Sequence, residues 1–191
     1  MDSSISLFVN KIVEFLMRDY MEEEVKVEVL GRNLKVFTHE GFIDLTRGSE
    51  YVLPRWLAYM LSKEGLVRVR EEEYGIEKLS NIAYNEEATV QKLQLMKIPR
   101  YFYILVKKDI ERLREKLKDT ADLTLLDEYK QREDLIYTIG RIRIKKIMNY
   151  IMLPTIPQEI LDKMSEEEKI LYTMLKDMLS AWTKSLGLEK A

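Results

Sequence analysis

The sequence predicts an α+β protein: a small β-rich N-terminal domain preceded by a helix, followed by an all-α helical-bundle domain. Three observations predict it. Val25, Val27 and Val29 alternate with Lys26 and Glu28, the two-residue period of a half-buried strand. In the stretch Leu95 to Lys118, LMKIPRYFYILVKKDIERLREKLK, residues Phe102, Val106, Ile110, Leu113 and Leu117 recur at three- or four-residue steps. That is the stripe a helix buries. Beyond it almost every segment keeps the helical period.

The elements follow in order. Ser3 or Ser4 can cap an opening helix over residues 3–20, with Ile5, Phe8, Val9, Ile12, Leu16 and Tyr20 on one face. Glu22-Glu23-Glu24 ends it. After the first strand, Gly31-Arg32-Asn33 is a turn. Leu34 to Thr38 and Phe42 to Leu45 are short strands around His39-Glu40-Gly41, and Arg47-Gly48-Ser49 turns again. Pro54 starts a compact helix whose Pro54, Trp56, Leu57 and Leu61 are expected to form the core of the β domain. Gly65 stops it, and Leu66, Val67 and Val69 form a closing strand with Arg68 and Arg70 interleaved. Glu71-Glu72-Glu73 marks the exit, which places the domains at 1–73 and 74–191, with 74–94 as a linking helix and loop.

In the second domain Pro99 suits a first helical position, where its missing N–H costs nothing. Asp119-Thr120-Ala121-Asp122 breaks that helix and caps the next, which runs from about Leu123 to Leu153. Its Leu135, Ile136, Ile139, Ile142, Ile144, Ile147, Met148 and Ile151 spread nearly all round the axis, which predicts burial on several sides. Pro154 and Pro157 end it, and a short helix covers Gln158 to Met164. Ser165-Glu166-Glu167-Glu168 then has the spacing of a capping box before a last helix.

Composition narrows the chemistry. The 191 residues are 46% hydrophobic and 34% charged, enough for a folded core without staples. With no cysteine there is no disulfide, thiol nucleophile or Cys-ligated zinc. The single histidine, His39, excludes a His-based metal cluster and a Ser-His-Asp triad; a turn histidine of this kind is read as a surface residue. No Gly-rich phosphate loop occurs. The paired carboxylates of 71–73 and 166–168 fall in turns or caps, so neither an enzyme nor a cofactor is expected, and a carboxylate-metal nuclease is the weakest reading. No apolar run approaches the roughly 20 residues that span a bilayer, and no basic leader opens the chain, so an intracellular protein without membrane contact is expected.

Charge is uneven: −5 over residues 1–94, +5 over 95–150 and −2 over 151–191. The basic run Arg141-Ile142-Arg143-Ile144-Lys145-Lys146 invites a nucleic-acid reading. Helical geometry argues against it, because Arg143 lies about 160° from Arg141 and the charges form no single stripe. The interleaved isoleucines predict a buried helix whose basic side chains reach outward or pair with acids. A winged-helix DNA-binding regulator, with Arg68 and Arg70 on the wing, is the alternative; the helix from Pro54 has few basic or amide residues to read bases.

Several stretches, in this order, resemble the GINS family of non-catalytic replication factors of archaea and eukaryotes, in the subunit type with its small β domain first. Leu30-Gly31-Arg32-Asn33-Leu34-Lys35-Val36-Phe37 is similar to the family's hydrophobic-Gly-x-x-Leu-x-x-Phe turn, although Arg32 and Lys35-Val36 stand where glycines and a proline are common. Pro54-x-Trp56-Leu57-Ala58-x-x-Leu61 resembles its Pro-x-Trp-Leu-Ala-x-x-Leu helix. Glu77-Lys78-Leu79 and Glu86-Glu87 fall at its linking helix, and Ile98-Pro99-x-x-Phe102-Tyr103 at the start of its helical domain. Asp134-Leu135 through Arg141, Lys146 and Ile147 is similar to its Arg- and Lys-bearing central helix. The likeness covers about residues 25–190 and leaves out the opening helix.

The resemblance implies a cytoplasmic, nucleoid-associated subunit, in archaea commonly two copies each of two related subunits. It also implies that the complex binds the MCM replicative helicase and a RecJ-like DHH-family protein, with DNA contact weak or indirect. It further implies a subunit interface on the helical domain, here Ile98, Pro99, Phe102, Tyr103, Val106, Ile139, Ile142, Ile147 and Ile151. That agrees with an apolar content that looks too large for so few helices.

Overall fold

A computed structural model describes residues 4–38, 41–120 and 122–188. His39 and its turn lie outside the described residues. The chain divides into two compact units, residues 1–72 and 73–191.

The first unit opens with α1 (Ser4–Glu22), then β1 (Glu24–Val29), β2 (Leu34–Thr38), β3 (Gly41–Leu45), β4 (Glu50–Pro54), α2 (Arg55–Lys63) and β5 (Val67–Arg70). β1 is the middle strand of an antiparallel sheet ordered β4-β1-β5, while β2 and β3 form a separate antiparallel pair. Val27 sits opposite Tyr51 on one side and Val69 on the other. The alternation of β1 puts Val25, Val27 and Val29 inward, where they pack with Leu45, Leu53, Leu57, Ala58 and Leu61. Two glycines are placed by geometry. Leu30 N–H and Gly31 N–H both donate to the Leu66 carbonyl, at 2.9 and 3.1 Å. A Cβ on Gly31 would lie 3.0 Å from Leu66 Cδ2 and 3.3 Å from its Cα. Gly65, at φ +68°, closes α2, with Leu66 N–H returning to the Leu61 carbonyl and Gly65 N–H to that of Ser62. This is the glycine-dependent Schellman ending.

Three expectations for this unit are corrected. Pro54 ends β4, a strand not foreseen from its contiguous Tyr51-Val52-Leu53, and the helix begins at Arg55, whose N–H donates to the Glu23 carbonyl at 2.8 Å. Leu57 and Leu61 are buried as expected of core residues, but Trp56 faces outward and Pro54 is half-buried. The inward place beside them belongs to Arg55. Its guanidinium donates to Glu71 Oε1 at 2.8 Å and to the Tyr20 carbonyl at 2.7 Å, and lies 4.0 Å from the centre of the Tyr20 ring. Tyr59 OH donates to Glu71 Oε2 at 2.6 Å, and Tyr20 OH lies 3.0 Å from Tyr59 OH. Burial raises the Tyr20 phenol far above its ordinary value, helped by Tyr59 and the Glu71 charge, so it stays a neutral donor. The third correction concerns α1: Leu16 and Tyr20 are buried, whereas Ile5, Phe8 and Val9 of the same stripe are exposed and Ile12 is half-buried.

The second unit holds α3 (Ile76–Ala88), α4 (Phe102–Asp119), α5 (Leu123–Ile151), the single turn α6 (Gln158–Leu161) and α7 (Glu166–Ser185). α3 is part of the bundle rather than a link: Leu79 and Ala83 pack with Tyr74, Ile98, Phe102, Val106, Ile110 and Ile139. Phe102 meets Tyr74 and Tyr103 edge to face, with centroids 5.6 and 5.3 Å away. A second cluster joins Leu95, Ile147, Tyr150 and Ile151 to Met164 and Tyr172. Asp122 caps α5 by accepting from Thr124 N–H at 2.8 Å. Lys176 Nζ donates to the Ile151 carbonyl at 3.1 Å and also to that of Leu153, neutralising the other end of α5.

Glu71→Ala strands the Arg55 guanidinium without its main counter-charge and should destabilise the first unit by about 3 kcal/mol. Glu50→Ala, on an exposed position, should stay within about 0.5 kcal/mol. Denaturant unfolding followed by Trp56 fluorescence in a Trp182→Phe background measures both.

Candidate functional site

The basic run that suggested nucleic acid sits on α5, and the fold divides it. Arg141 and Lys145 are exposed; Arg143 and Lys146 are buried almost completely. Arg143 Nε and one terminal nitrogen hold Glu168 Oε1 and Oε2 at 2.7 Å each, the two-pronged arrangement that fits a guanidinium to a carboxylate. The other terminal nitrogen donates to Glu86 Oε1 and, at 2.8 Å, to the Met96 carbonyl. Lys146 Nζ reaches Glu86 Oε2 at 2.5 Å, the Glu86 and Gln94 carbonyls at 2.7 Å and Thr89 Oγ1 at 2.9 Å. Two cations thus face two carboxylates in a dry interior, with no net charge left over. Met96 N–H donates to Glu86 Oε1 at 2.9 Å, so the loop after α3 is anchored to the same group.

Glu168 comes to the cluster through its cap. Its N–H donates to Ser165 Oγ at 3.3 Å and its carboxylate accepts from Ser165 N–H at 3.1 Å, the reciprocal box expected from sequence. Tyr103 OH donates to Glu168 Oε1 at 2.7 Å. Burial raises the Tyr103 phenol far above its ordinary range, and the Glu168 charge and hydrogen bond add to this. For Arg143, burial alone favours loss of the proton, but Glu168 and Glu86 outweigh it and push the guanidinium higher still. Both groups are therefore held as donors.

The three consecutive glutamates do three different things. Glu166 N–H donates to the Arg100 carbonyl at 2.7 Å, and Glu167 Oε1 accepts from Ile104 N–H at 3.1 Å. The first turn foreseen from Pro99 is diverted by these bonds, and α4 starts at Phe102 instead. Burial raises the Glu167 carboxyl above its ordinary value, partly offset by hydrogen bonds from Ser165 and Ile104.

The expected interface residues sort into two kinds. Ile98, Phe102, Val106, Ile139, Ile147 and Ile151 are buried inside this chain's own bundle. Pro99, Tyr103 and Ile142 are half-buried. The physical reason is that Arg143 and Lys146, once neutralised, occupy the inward stripe of α5 with Ile139 and Tyr150, and rotate Ile144 and Met148 outward. On the opposite side of the buried stripe, Ile144, Met148 and Met152 are exposed at four-residue steps. α7 repeats this with Met178, Trp182 and Leu186. Sequence reasoning missed Arg143, Glu86 and Glu168 as a set; the available signal was an Arg and a Lys at i and i+3 that share a helix face with Ile139 and Ile147.

Among the described residues no group of three or more His, Cys, Asp or Glu side chains could hold a metal ion, and no helix is long and apolar enough to cross a membrane. Arg68 and Arg70, the basic residues of a supposed wing, both pair with Glu28, at 3.6 and 2.6 Å. The helical unit combines a locked polar core with apolar side chains on its outside. The family model of the Sld5 GINS complex protein helical bundle domain matches residues 74–187, and the chain belongs to that family. No curated protein matches the chain.

Arg143→Met leaves Glu168 and part of Glu86 buried without a counter-charge and should cost about 3–5 kcal/mol in denaturant unfolding; Arg143→Lys, unable to span both carboxylates, should recover less than half of it. A second outcome concerns pH. The folded-state pKa of Glu167 lies above the ordinary 4.5, so its contribution to stability is full below that value and is lost as pH rises through the folded pKa. Glu167→Gln cannot ionise. Its stability relative to the parent should therefore improve as pH rises above the ordinary carboxylate value and level off once the folded-state pKa is passed, as read by thermal melts from pH 4 to pH 8.

Proposed function

We propose that this chain is a non-catalytic subunit of the GINS DNA replication complex, pairing with a second GINS subunit, as two copies of each. In this reading the complex binds the MCM replicative helicase and a RecJ-like DHH-family protein, and enables the helicase to unwind DNA at the fork. It works in the cytoplasm at the nucleoid, with DNA contact weak or indirect.

The observation that carries the reading is the family match across residues 74–187. The geometry supports it. The bundle pairs Arg143 and Lys146 with Glu86 and Glu168 within one chain, yet leaves Ile144 and Met148 of α5 with Met152 just beyond it, and Met178 and Trp182 of α7 with Leu186 just beyond it, in water. Methionine and tryptophan are enriched where proteins meet. These outer faces, rather than the Phe102 stripe, are the surface offered to the second GINS subunit.

The chain, tagged and purified from its own cells at moderate salt, should bring with it a second small subunit and the helicase or a RecJ-like protein. Recovery of the chain alone, or with DNA only, would overturn the reading. Met148→Asp and Trp182→Asp should each weaken capture of the second subunit about thirtyfold or more with an unchanged melting temperature. Phe102→Asp should instead unfold the bundle, because its ring is fully buried.

A further inference from the structure

The exposed side of α5 changes character along its length. In the first half Asp127, Lys130 and Asp134 stand in water, with the lysine one turn from an acid on either side. From Tyr137 onward the same side is apolar: Tyr137 is 70%, Ile144 46% and Met148 48% exposed, and Met152, just beyond the helix end, 73%. Two exposed cations one turn apart, Arg141 and Lys145, sit in that apolar stretch. On the 3.6-residue wheel Tyr137, Ile144, Met148 and Met152 all lie within about 60° of Arg141, so the guanidinium is in the middle of the patch and not at its rim.

Elsewhere on α5 Arg132 pairs with Glu128, Arg143 with Glu86 and Glu168, and Lys146 with Glu86. Arg141 and Lys145 differ. The positions three and four residues to either side of them hold Tyr137, Thr138, Ile142, Ile144, Met148 and Asn149, and no acid. Among the described residues neither makes an ion pair. As like charges at i and i+4 they repel each other in the single chain. An apolar patch with two uncompensated positive charges is complementary to a surface of the opposite sign.

We propose that this face of α5 is met by a carboxylate-bearing surface of the second GINS subunit: an apolar ridge with Asp or Glu side chains about 6 Å apart, the i, i+4 spacing of a helix, over Arg141 and Lys145. The inference rests on the GINS reading and adds the chemistry by which the partner is selected. A second copy of this chain fits badly, because its own Arg141 and Lys145 would set four cations together. Nucleic acid also fits badly. Phosphates would satisfy the two cations, but would hold a charged, hydrated backbone against Ile144, Met148 and Met152, which gain nothing from it. A bilayer would take the apolar residues and bury Arg141 among them without a counter-charge. A carboxylate-edged apolar surface satisfies both parts of the face, and the charges give selection and speed of association more than affinity.

The test returns the second subunit, recovered from the native complex, to the purified full chain and measures the affinity by titration. Between about 0.05 and 0.5 M salt the parent's affinity should fall about tenfold. Arg141→Glu combined with Lys145→Glu should weaken binding about a hundredfold or more at low salt, since acid then faces acid, and its affinity should stay level or rise with salt. Both side chains are exposed, so the melting temperature of the variant should not fall. Lys130→Glu is the control: the same change of charge on the same side of α5, about 16 Å from Arg141, should leave binding within about threefold. A second subunit that binds with no dependence on salt or on the double variant overturns the proposal and leaves the GINS reading standing. Equal weakening by Lys130→Glu overturns it too. Loss of duplex DNA retention by the double variant, with second-subunit affinity unchanged, would assign the face to phosphates and overturn it. If no second subunit is recovered at all, the GINS reading fails and the proposal falls with it.

Discussion

Arg143 is a cation with no access to water, and the helical unit is arranged around the need to satisfy it. Its guanidinium has five N–H donors, and partners come from four separate places in the chain: Glu86 at the end of α3, the Met96 carbonyl, the Lys163 carbonyl before α7 and Glu168 in the first turn of α7. Lys146, one turn further along α5, reaches back to Glu86 and to the loop that follows it. Such a cluster adds little net stability over a well-packed apolar core, because taking four charges out of water costs about as much as their attraction returns. What it adds is direction. Apolar contacts would tolerate a helix turned or slid by a residue; a bidentate guanidinium does not. The polar quartet thereby fixes where α3, α5 and α7 sit, and so which apolar residues remain outside.

The three glutamates of residues 166–168 illustrate how one short segment can serve several ends. Glu168 closes its own capping box and grips Arg143; Glu167 takes the place of a missing helical partner at the start of α4; Glu166 offers its N–H to the Arg100 carbonyl. The start of α7 is therefore built together with the start of α4. Neither helix end is left with its backbone groups exposed to an apolar interior, which is the usual cost of bringing helix termini inside a protein. The first unit solves a similar problem with Arg55, which seats the end of α1 against Glu71 and Tyr59.

Most of the secondary structure was legible because it rests on local chemistry. The period-two valines of 25–29, the 3.6-residue stripe from Phe102 and the Ser165–Glu168 box each depend on residues within a turn or two of each other. The misreadings fall where distant groups intervene. Pro99 has the chemistry of a first helical residue, but the Arg100 carbonyl and Ile104 N–H are taken by residues 166 and 167. Trp56 has the look of a core residue, but Arg55 has a half-buried carboxylate waiting for it at Glu71.

By itself the sequence determined the two-part α+β plan, the helix ends at Gly65, Asp122 and Ser165, and the family to which the helical part belongs. Each is written in short-range periodicity, in capping chemistry or in the order of a few motifs. Only the tertiary structure decided which side of α5 is inside. A basic residue in an apolar stripe is exposed or buried according to whether a carboxylate sixty or twenty-five positions away comes within hydrogen-bond reach, and periodicity carries no record of that. The same decision sets the outer surface, because burying Arg143 and Lys146 is what leaves Ile144 and Met148 facing water.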